Sequence, residues 1–182
     1  TAIVVERHSE ECRGGLLPVP WSLPNRGAQC PHGTDAPMNV VIIHQSRTGN
    51  TRRAAELIGG AAAATGATVA VRPVTNIDYK ELAEADLIFV GTWVDGLILF
   101  SHRPGDIDKV RQIPNLWDKQ VAVFMTHAVN PGNAATKLSD LLEAQGASVV
   151  AARSLNRRRL EDEAPAFTHQ VLTSVLQLSE PV

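Results

Sequence analysis

Cysteine is scarce in this chain, whose 182 residues include two, Cys12 and Cys30. Both lie near the N-terminus, outside the segments that resemble a folded core. Two such thiols neither build a disulfide framework nor supply a metal site. The rest of the chain lacks cysteine, which is typical of a cytoplasmic protein, and we expect that location.

Long hydrophobic runs and an excess of one charge are also absent. No apolar run approaches the roughly 20 residues that a membrane-spanning helix needs. The formal net charge is −2, so neither nucleic acid nor a membrane surface is expected as a partner. With 44% hydrophobic and 20% charged residues, the composition is that of an ordinary globular protein.

The first 37 residues differ in composition from the rest. They are rich in proline, glycine and scattered charge, with no sustained period, and they lack the basic head and apolar stretch of a signal peptide. We expect residues 1–37 to be a poorly ordered extension, with the domain at 38–182 and a natural start at Met38. A functional tail or lid over the domain is the alternative.

From Met38 onward, β-branched runs alternate with helical periodicity. This order predicts five strands joined by helical crossovers, hence an open, doubly wound α/β sheet. The predicted strands are 40–43, 68–74, 87–90, 121–125 and 148–152, and Pro165 is predicted to open the last helix. In such sheets ligands bind beyond the carboxyl ends of the strands, so the loops at 44–51, 91–105 and 126–133 are the candidate site.

Residues 46–51, SRTGNT, form a polar loop between the first strand and the first helix. A helix N-terminus offers unpaired N–H groups and a positive dipole end, which together bind anions. Ser46, Thr48, Asn50 and Thr51 add side-chain donors, and Gly49 lets a ligand approach the backbone. One of these residues is enough to cap a helix, so the cluster predicts a phosphate site.

This loop resembles the T/S-x-T-G-N-T phosphate loop of the flavodoxin family, and the similarity in element order extends over roughly residues 38–178. The resemblance implies a flavodoxin-like five-stranded parallel sheet of order 2-1-3-4-5 with helices on both faces, and FMN as cofactor. It places the FMN phosphate in the polar loop, the ring against Trp93 in the loop after the third strand, and the pyrimidine end at the loop after the fourth. The implied binding residues are Ser46, Arg47, Thr48, Gly49, Asn50, Thr51, Gly91, Thr92, Trp93, Val94, Asp95, Gly96, Thr126, His127 and Ala128.

Two features depart from the family's habits. Many flavodoxins carry a second aromatic residue after the fourth strand, where this chain has His127. Carrier flavodoxins are also strongly acidic, whereas residues from Met38 on include 15 acidic and 14 basic side chains, a net of −1. Both departures weaken the assignment of an electron carrier. No second domain for nicotinamide binding is predicted, however, and no acid–base pair stands out, so an electron carrier of flavodoxin type is expected first. An FMN-dependent oxidoreductase passing hydride from NAD(P)H to a quinone or similar small acceptor is the alternative.

Other protein classes are excluded by specific residues. A response-regulator receiver needs acidic residues where this chain has HQSRTG and GTW, and a low-molecular-weight phosphatase needs a cysteine in its phosphate loop. The expected partner is a redox protein or a small-molecule acceptor. The apolar segment 97–105 predicts a homodimer contact or core packing, with a docking patch or substrate pocket as the alternative. Arg157, Arg158 and Arg159 are expected to form a solvated turn.

Overall fold

Strands and helices alternate along residues 37–97 and 100–179, the part of the chain that the computed structural model describes. The predicted extension therefore lies outside the described residues, apart from Pro37. The elements in chain order are β1 Asn39–His44, α1 Asn50–Ala64, β2 Thr68–Pro73, α2 Tyr79–Glu84, β3 Leu87–Leu97, β4 Phe100–Pro104, α3 Ile107–Val110, β5 Gln120–His127, α4 Ala134–Ala144, β6 Ser148–Asn156 and α5 Leu160–Ser179.

Five of these strands form a parallel sheet in the order β2-β1-β3-β5-β6. This is the predicted order 2-1-3-4-5 once the strands are numbered without β4, so the predicted fold is confirmed. The chain leaves β1 for β2 on one side and returns to β3 on the other. The order therefore reverses beside β1, and the carboxyl ends of β1, β3 and β5 meet at one edge of the sheet.

The prediction of a loop at 91–105 is wrong, because most of this segment belongs to two strands. β3 continues past Val90 to Leu97, and β4 pairs with its distal half in antiparallel register, with Val94 opposite Pro104. Gly91, Asp95 and Gly96 have the composition of a turn, which conceals the strand from local reasoning. Backbone pairing with β4 satisfies the N–H and C=O groups that a loop would leave to water. The predicted dimer contact at 97–105 includes residues 98–99, which lie outside the described residues, and stays a prediction.

Each face of the parallel sheet has its own hydrophobic core. Val40 and Ile42 point to the face covered by α1 and α5, whereas Val41 and Ile43 point to the face covered by α2, α3 and α4. This alternation follows from the two-residue period of a strand, and burial on both faces explains the continuous apolar run of β1. The sheet is thus held rigidly between two layers of helices.

The last helix begins five residues before its proline. α5 starts at Leu160, and Pro165 lies inside it, so the predicted start at Pro165 is wrong. Leu160, Ala164 and Phe167 are buried on one helical stripe that runs past the proline. The carboxylate of Glu163 accepts a hydrogen bond from the Asn156 N–H at 2.7 Å, which ties the first turn of the helix to the end of β6.

Within the described residues, no helix has the length and apolar character that crossing a bilayer requires. The same part of the chain holds no group of three or more His, Cys, Asp or Glu side chains arranged for a metal ion.

Gly91 tests the packing beneath the site. A Cβ added at Gly91 would lie 2.2 Å from Cζ of Phe124, which is fully buried. We expect Gly91→Ala to lower the free energy of unfolding by about 1–3 kcal/mol, because a packed core resists added volume. Urea unfolding monitored by circular dichroism measures this.

Gly60→Ala is the matched control, since its added Cβ meets nothing within 4 Å in the middle of α1. It should stabilise the protein by about 0.5–1 kcal/mol, as alanine does in a helix. Equal effects of the two substitutions would show that Phe124 does not occupy the space above Gly91.

Candidate functional site

The polar loop, residues 46–51, turns the chain from β1 into α1. Gly49 has a φ of 89°, in the left-handed region that glycine adopts without strain. The hydroxyl of Ser46 accepts a hydrogen bond from the Gly49 N–H at 3.1 Å, and the Gly49 carbonyl accepts one from the Arg53 N–H at 2.9 Å. Ser46 and Gly49 therefore shape the loop around the helix N-terminus.

The donors of this loop fit a phosphate group. The Asn50 side-chain amide donates to the Thr48 hydroxyl oxygen at 3.0 Å, so the hydroxyl hydrogen of Thr48 is left to donate elsewhere. The N–H groups in the first turn of a helix have no intrahelical acceptor. Those of Asn50, Thr51 and Arg52 make no hydrogen bond within the part of the chain that the structure describes. An anion at this point would satisfy them.

Thr51 plays a different part from the other loop residues. It is 1% exposed, and its hydroxyl lies 2.9 Å from that of Thr126 at the end of β5. A buried hydroxyl that is already paired is not available to a ligand. The two side chains instead fasten the first turn of α1 to the edge of the sheet, and the N–H group of Thr51 remains directed with the others of that turn.

Trp93 lies on β3 and packs over Gly105. Gly105 follows β4, and its N–H donates to the Trp93 carbonyl at 2.8 Å. A Cβ at Gly105 would lie 2.2 Å from Cε2 of the indole. The buried Thr92 hydroxyl also donates to the Gly105 carbonyl at 2.7 Å. The indole is thus held in one position, with Gly105 providing the space that it fills.

A hydrogen bond joins the beginning of the polar loop to the segment after β4. The Gln45 N–H donates to the Gly91 carbonyl at 2.8 Å, and its side-chain amide donates to Oδ2 of Asp106 at 2.9 Å. Lys109 and Gln45, both bonded to that carboxylate, lower the pKa of Asp106. Sequence reasoning missed this link, because Gln45 and Asp106 are separated by 61 residues.

His127 stands at the end of β5, beside the cavity. Burial lowers the pKa of His127, and the nearby Glu163 carboxylate and the Val129 backbone oppose this effect. The ring is therefore predominantly neutral at pH 7. Its Nδ1 atom is buried and has no hydrogen-bond partner of acceptable geometry among the described residues.

These elements surround a cavity of about 340 Å³ at the carboxyl edge of the sheet. The predicted binding residues that do not line it are Ser46, Gly49, Thr51, Gly91, Thr92 and Gly96, the last of which lies in β3. Gly91 packs against Phe124 in the core beneath the site, and Thr92 donates a hydrogen bond to Gly105 within the hairpin that β3 and β4 form. The lining residues are Arg47, Thr48, Asn50, Trp93, Val94, Asp95, Thr126, His127, Ala128 and Arg157.

Arg157 is the lining residue that sequence reasoning did not include. It belongs to a run of three arginines after β6 that reads as a solvated turn. The run does follow the carboxyl end of a parallel strand, which is the signal that could have identified it.

The sequence model of the flavodoxin domain matches residues 41–151. The structure of two-electron reduced flavodoxin from Megasphaera elsdenii is similar with a TM-score of 0.60 and 23% identity, over 75% of this chain and 98% of that one. Oxidised flavodoxin 2 from Bacillus cereus gives 0.60 and 21%, over 77% and 99%. Rubredoxin oxygen:oxidoreductase from Desulfovibrio gigas gives 0.52 and 17%, over 79% of this chain and 38% of that one. No curated protein sequence matches significantly.

Gly49 provides a test of the polar loop. We expect Gly49→Ala to cost about 1–2 kcal/mol of folding free energy because of its left-handed φ, and also to weaken FMN binding as the loop relaxes. Gly66→Ala is the control. Gly66 has a φ of 91° and, like Gly49, open space around an added Cβ, but it follows the far end of α1. It should lose similar stability and keep its affinity for FMN. Unfolding curves and FMN titrations measure both, and equal FMN affinity in the two variants would contradict the assignment.

Proposed function

Because the chain belongs to the flavodoxin domain family, we propose that it carries electrons on bound FMN between redox partners, in the manner of a flavodoxin. The family match spans residues 41–151, which include the polar loop, the hairpin and the end of β5. FMN is the cofactor, and the family is one of FMN-type electron transfer. The finer statement, that this chain acts as a carrier for a redox partner protein, is the proposal.

One observation carries this proposal: hydrogen-bond donors suited to a phosphate and a flat aromatic side chain line the same cavity. Thr48 and Asn50 lie in its wall beside the first turn of α1, and Trp93 lies in its wall on β3. FMN has a charged phosphate at one end and a planar ring at the other, so it requires both kinds of contact. When bound, FMN supplies a ring that accepts and donates electrons one or two at a time.

The size of the cavity is that of a site for one small ligand. Sites for small molecules commonly enclose about 300–1,000 Å³. A cavity of about 340 Å³ is at the low end of this range, which suits one flavin without a separate chamber for a second substrate. In this arrangement Thr48 and Asn50 would hold the phosphate of FMN, and Trp93 would hold its ring and shield it from water.

NAD(P)H-dependent reduction of a quinone or similar acceptor is the second candidate. Among the described lining residues, Trp93 is not matched by a second Phe, Tyr or Trp. The ring face away from Trp93 would then be open to a flat acceptor. The near-neutral domain, with 15 acidic and 14 basic residues from Met38 on, also differs from the acidic surface that guides carriers to basic partners.

An anaerobic reductive titration of the FMN-loaded protein separates the two functions. We expect two resolved one-electron waves, because a carrier must hold its cofactor through single-electron exchange. We also expect no NAD(P)H consumption when a quinone is added. One two-electron wave, together with quinone-dependent oxidation of NAD(P)H, would favour the enzyme.

Two substitutions test how the cavity divides its contacts. Thr48→Ala should weaken the binding of FMN by about 1–3 kcal/mol, because a hydrogen-bond donor to a charged phosphate is lost. It should leave the binding of riboflavin nearly unchanged. Trp93→Ala should weaken FMN and riboflavin alike, by about 0.5–1.5 kcal/mol beyond the effect of buried area. Fluorescence titrations with the two flavins measure these losses.

Matched controls are a threonine and a tryptophan that do not line the cavity. Thr65→Ala changes a threonine at the far end of α1, and Trp117→Ala changes an exposed tryptophan before β5. Both should retain wild-type affinity for FMN and riboflavin. Loss of riboflavin affinity in Thr48→Ala, to the same extent as FMN, would contradict a phosphate role for the loop.

A further inference from the structure

Arg157 reaches the cavity from a part of the chain outside the three predicted segments. It lies in the β6–α5 turn, residues 157–159, and it lines the same cavity as Thr48 and Asn50. We propose that Arg157 is a phosphate-binding residue that adds a positive charge to the FMN site. This inference rests on the proposed binding of FMN and assigns a residue beyond the family match, which ends at residue 151.

The backbone of the turn is held in place by several hydrogen bonds. The Arg157 N–H donates to the His127 carbonyl at 2.9 Å, which attaches the turn to the end of β5. The Arg158 N–H donates to the Asn156 side chain at 3.0 Å, and the Asn156 N–H donates to Glu163 at 2.7 Å. A side chain on a fixed backbone loses less entropy when it binds a ligand.

Two contacts bring this corner of the fold toward the polar loop. Nε of Arg53, in the first turn of α1, donates to Oε1 of Glu161 in the first turn of α5 at 2.8 Å. The Thr51 and Thr126 hydroxyls join the same turn of α1 to the strand that holds Arg157 through His127. The β6–α5 turn therefore lies close to the N-terminus of α1, where the phosphate is proposed to bind, and the proposal assigns Arg157 to that end of the ligand.

Other charged groups near the cavity lie close to opposite charges, whereas Arg157 remains available to an anionic ligand. Asp95, the acidic residue of the lining, lies 3.6 Å from Arg103, and Arg159 lies 3.8 Å from Glu163. Arg47 is near enough to Asp106 to contribute to its lowered pKa. The Arg157 side chain has no ion pair within the described residues. A guanidinium binds a phosphate through two parallel hydrogen bonds, which makes arginine suited to this task.

Arg158 provides a matched control. It is the same residue type, is exposed, and lies in the same turn, but it does not line the cavity. Kd values for FMN and for riboflavin are measured by fluorescence titration in the wild type, Arg157→Ala, Arg157→Lys and Arg158→Ala. Circular dichroism and thermal unfolding confirm that each variant is folded.

We expect Arg157→Ala to raise the Kd for FMN by about 10- to 100-fold, the range for a lost hydrogen bond to a charged group, and to leave the Kd for riboflavin within about twofold. Arg157→Lys should recover part of the loss because it keeps the charge. Arg158→Ala should match the wild type for both flavins. FMN affinity should also fall less with added salt in Arg157→Ala than in the wild type.

Three results would overturn the proposal. Equal losses for FMN and riboflavin in Arg157→Ala would place the guanidinium at the ring instead of the phosphate. Equal FMN affinity in Arg157→Ala and Arg158→Ala would show that the turn makes no contact, while FMN binding itself would stand. Failure of the wild type to bind FMN would overturn the proposed function together with this inference.

Discussion

The parallel pairing of β1 with both β2 and β3 is the constraint on which the site depends. Parallel strands that run in one direction bring all their carboxyl ends to one edge, and the order reverses beside β1. The chain therefore leaves β1 into a helix whose N-terminus has space in front of it. The ends of β3 and β5 form the opposite wall of that space. Without this arrangement the polar loop would be an ordinary helix start on a surface.

Hydrogen bonds made by side chains turn this edge into a defined site. The Thr51–Thr126 contact fixes α1 to β5, the Gln45–Asp106 contact fixes the start of the polar loop to the segment after β4, and Thr92 fixes the hairpin to itself. The first two join segments that are 75 and 61 residues apart in sequence. Side chains that line the cavity, such as Thr48 and Trp93, are thereby held in position in the absence of a ligand, which reduces the entropic cost of binding one.

The charge of the site differs from that of an acidic flavin pocket. Arg47 and Arg157 line the cavity, Asp95 lies beside Arg103, and burial keeps His127 neutral at pH 7. Positive charge near a cofactor stabilises its anionic groups and its reduced forms. The domain as a whole is also nearly neutral, with 15 acidic and 14 basic residues from Met38 on. Both features bear on which partner exchanges electrons with this chain, and they set the carrier and enzyme hypotheses apart on physical grounds.

The residues by themselves determined the sheet and the polar loop. Continuous β-branched runs predict strands buried on both faces, and a cluster of Ser, Thr, Asn and Gly before a helix predicts an anion site, because both signals are local in sequence. The hairpin β3–β4, the early start of α5 and the place of Arg157 were decided by tertiary structure. Gly91, Asp95 and Gly96 resemble a turn until β4 pairs with them, Pro165 resembles a helix start until the stripe from Leu160 packs, and Arg157 resembles a solvated residue until His127 binds its backbone. In each case the deciding contact depends on the tertiary arrangement, which local sequence patterns do not predict.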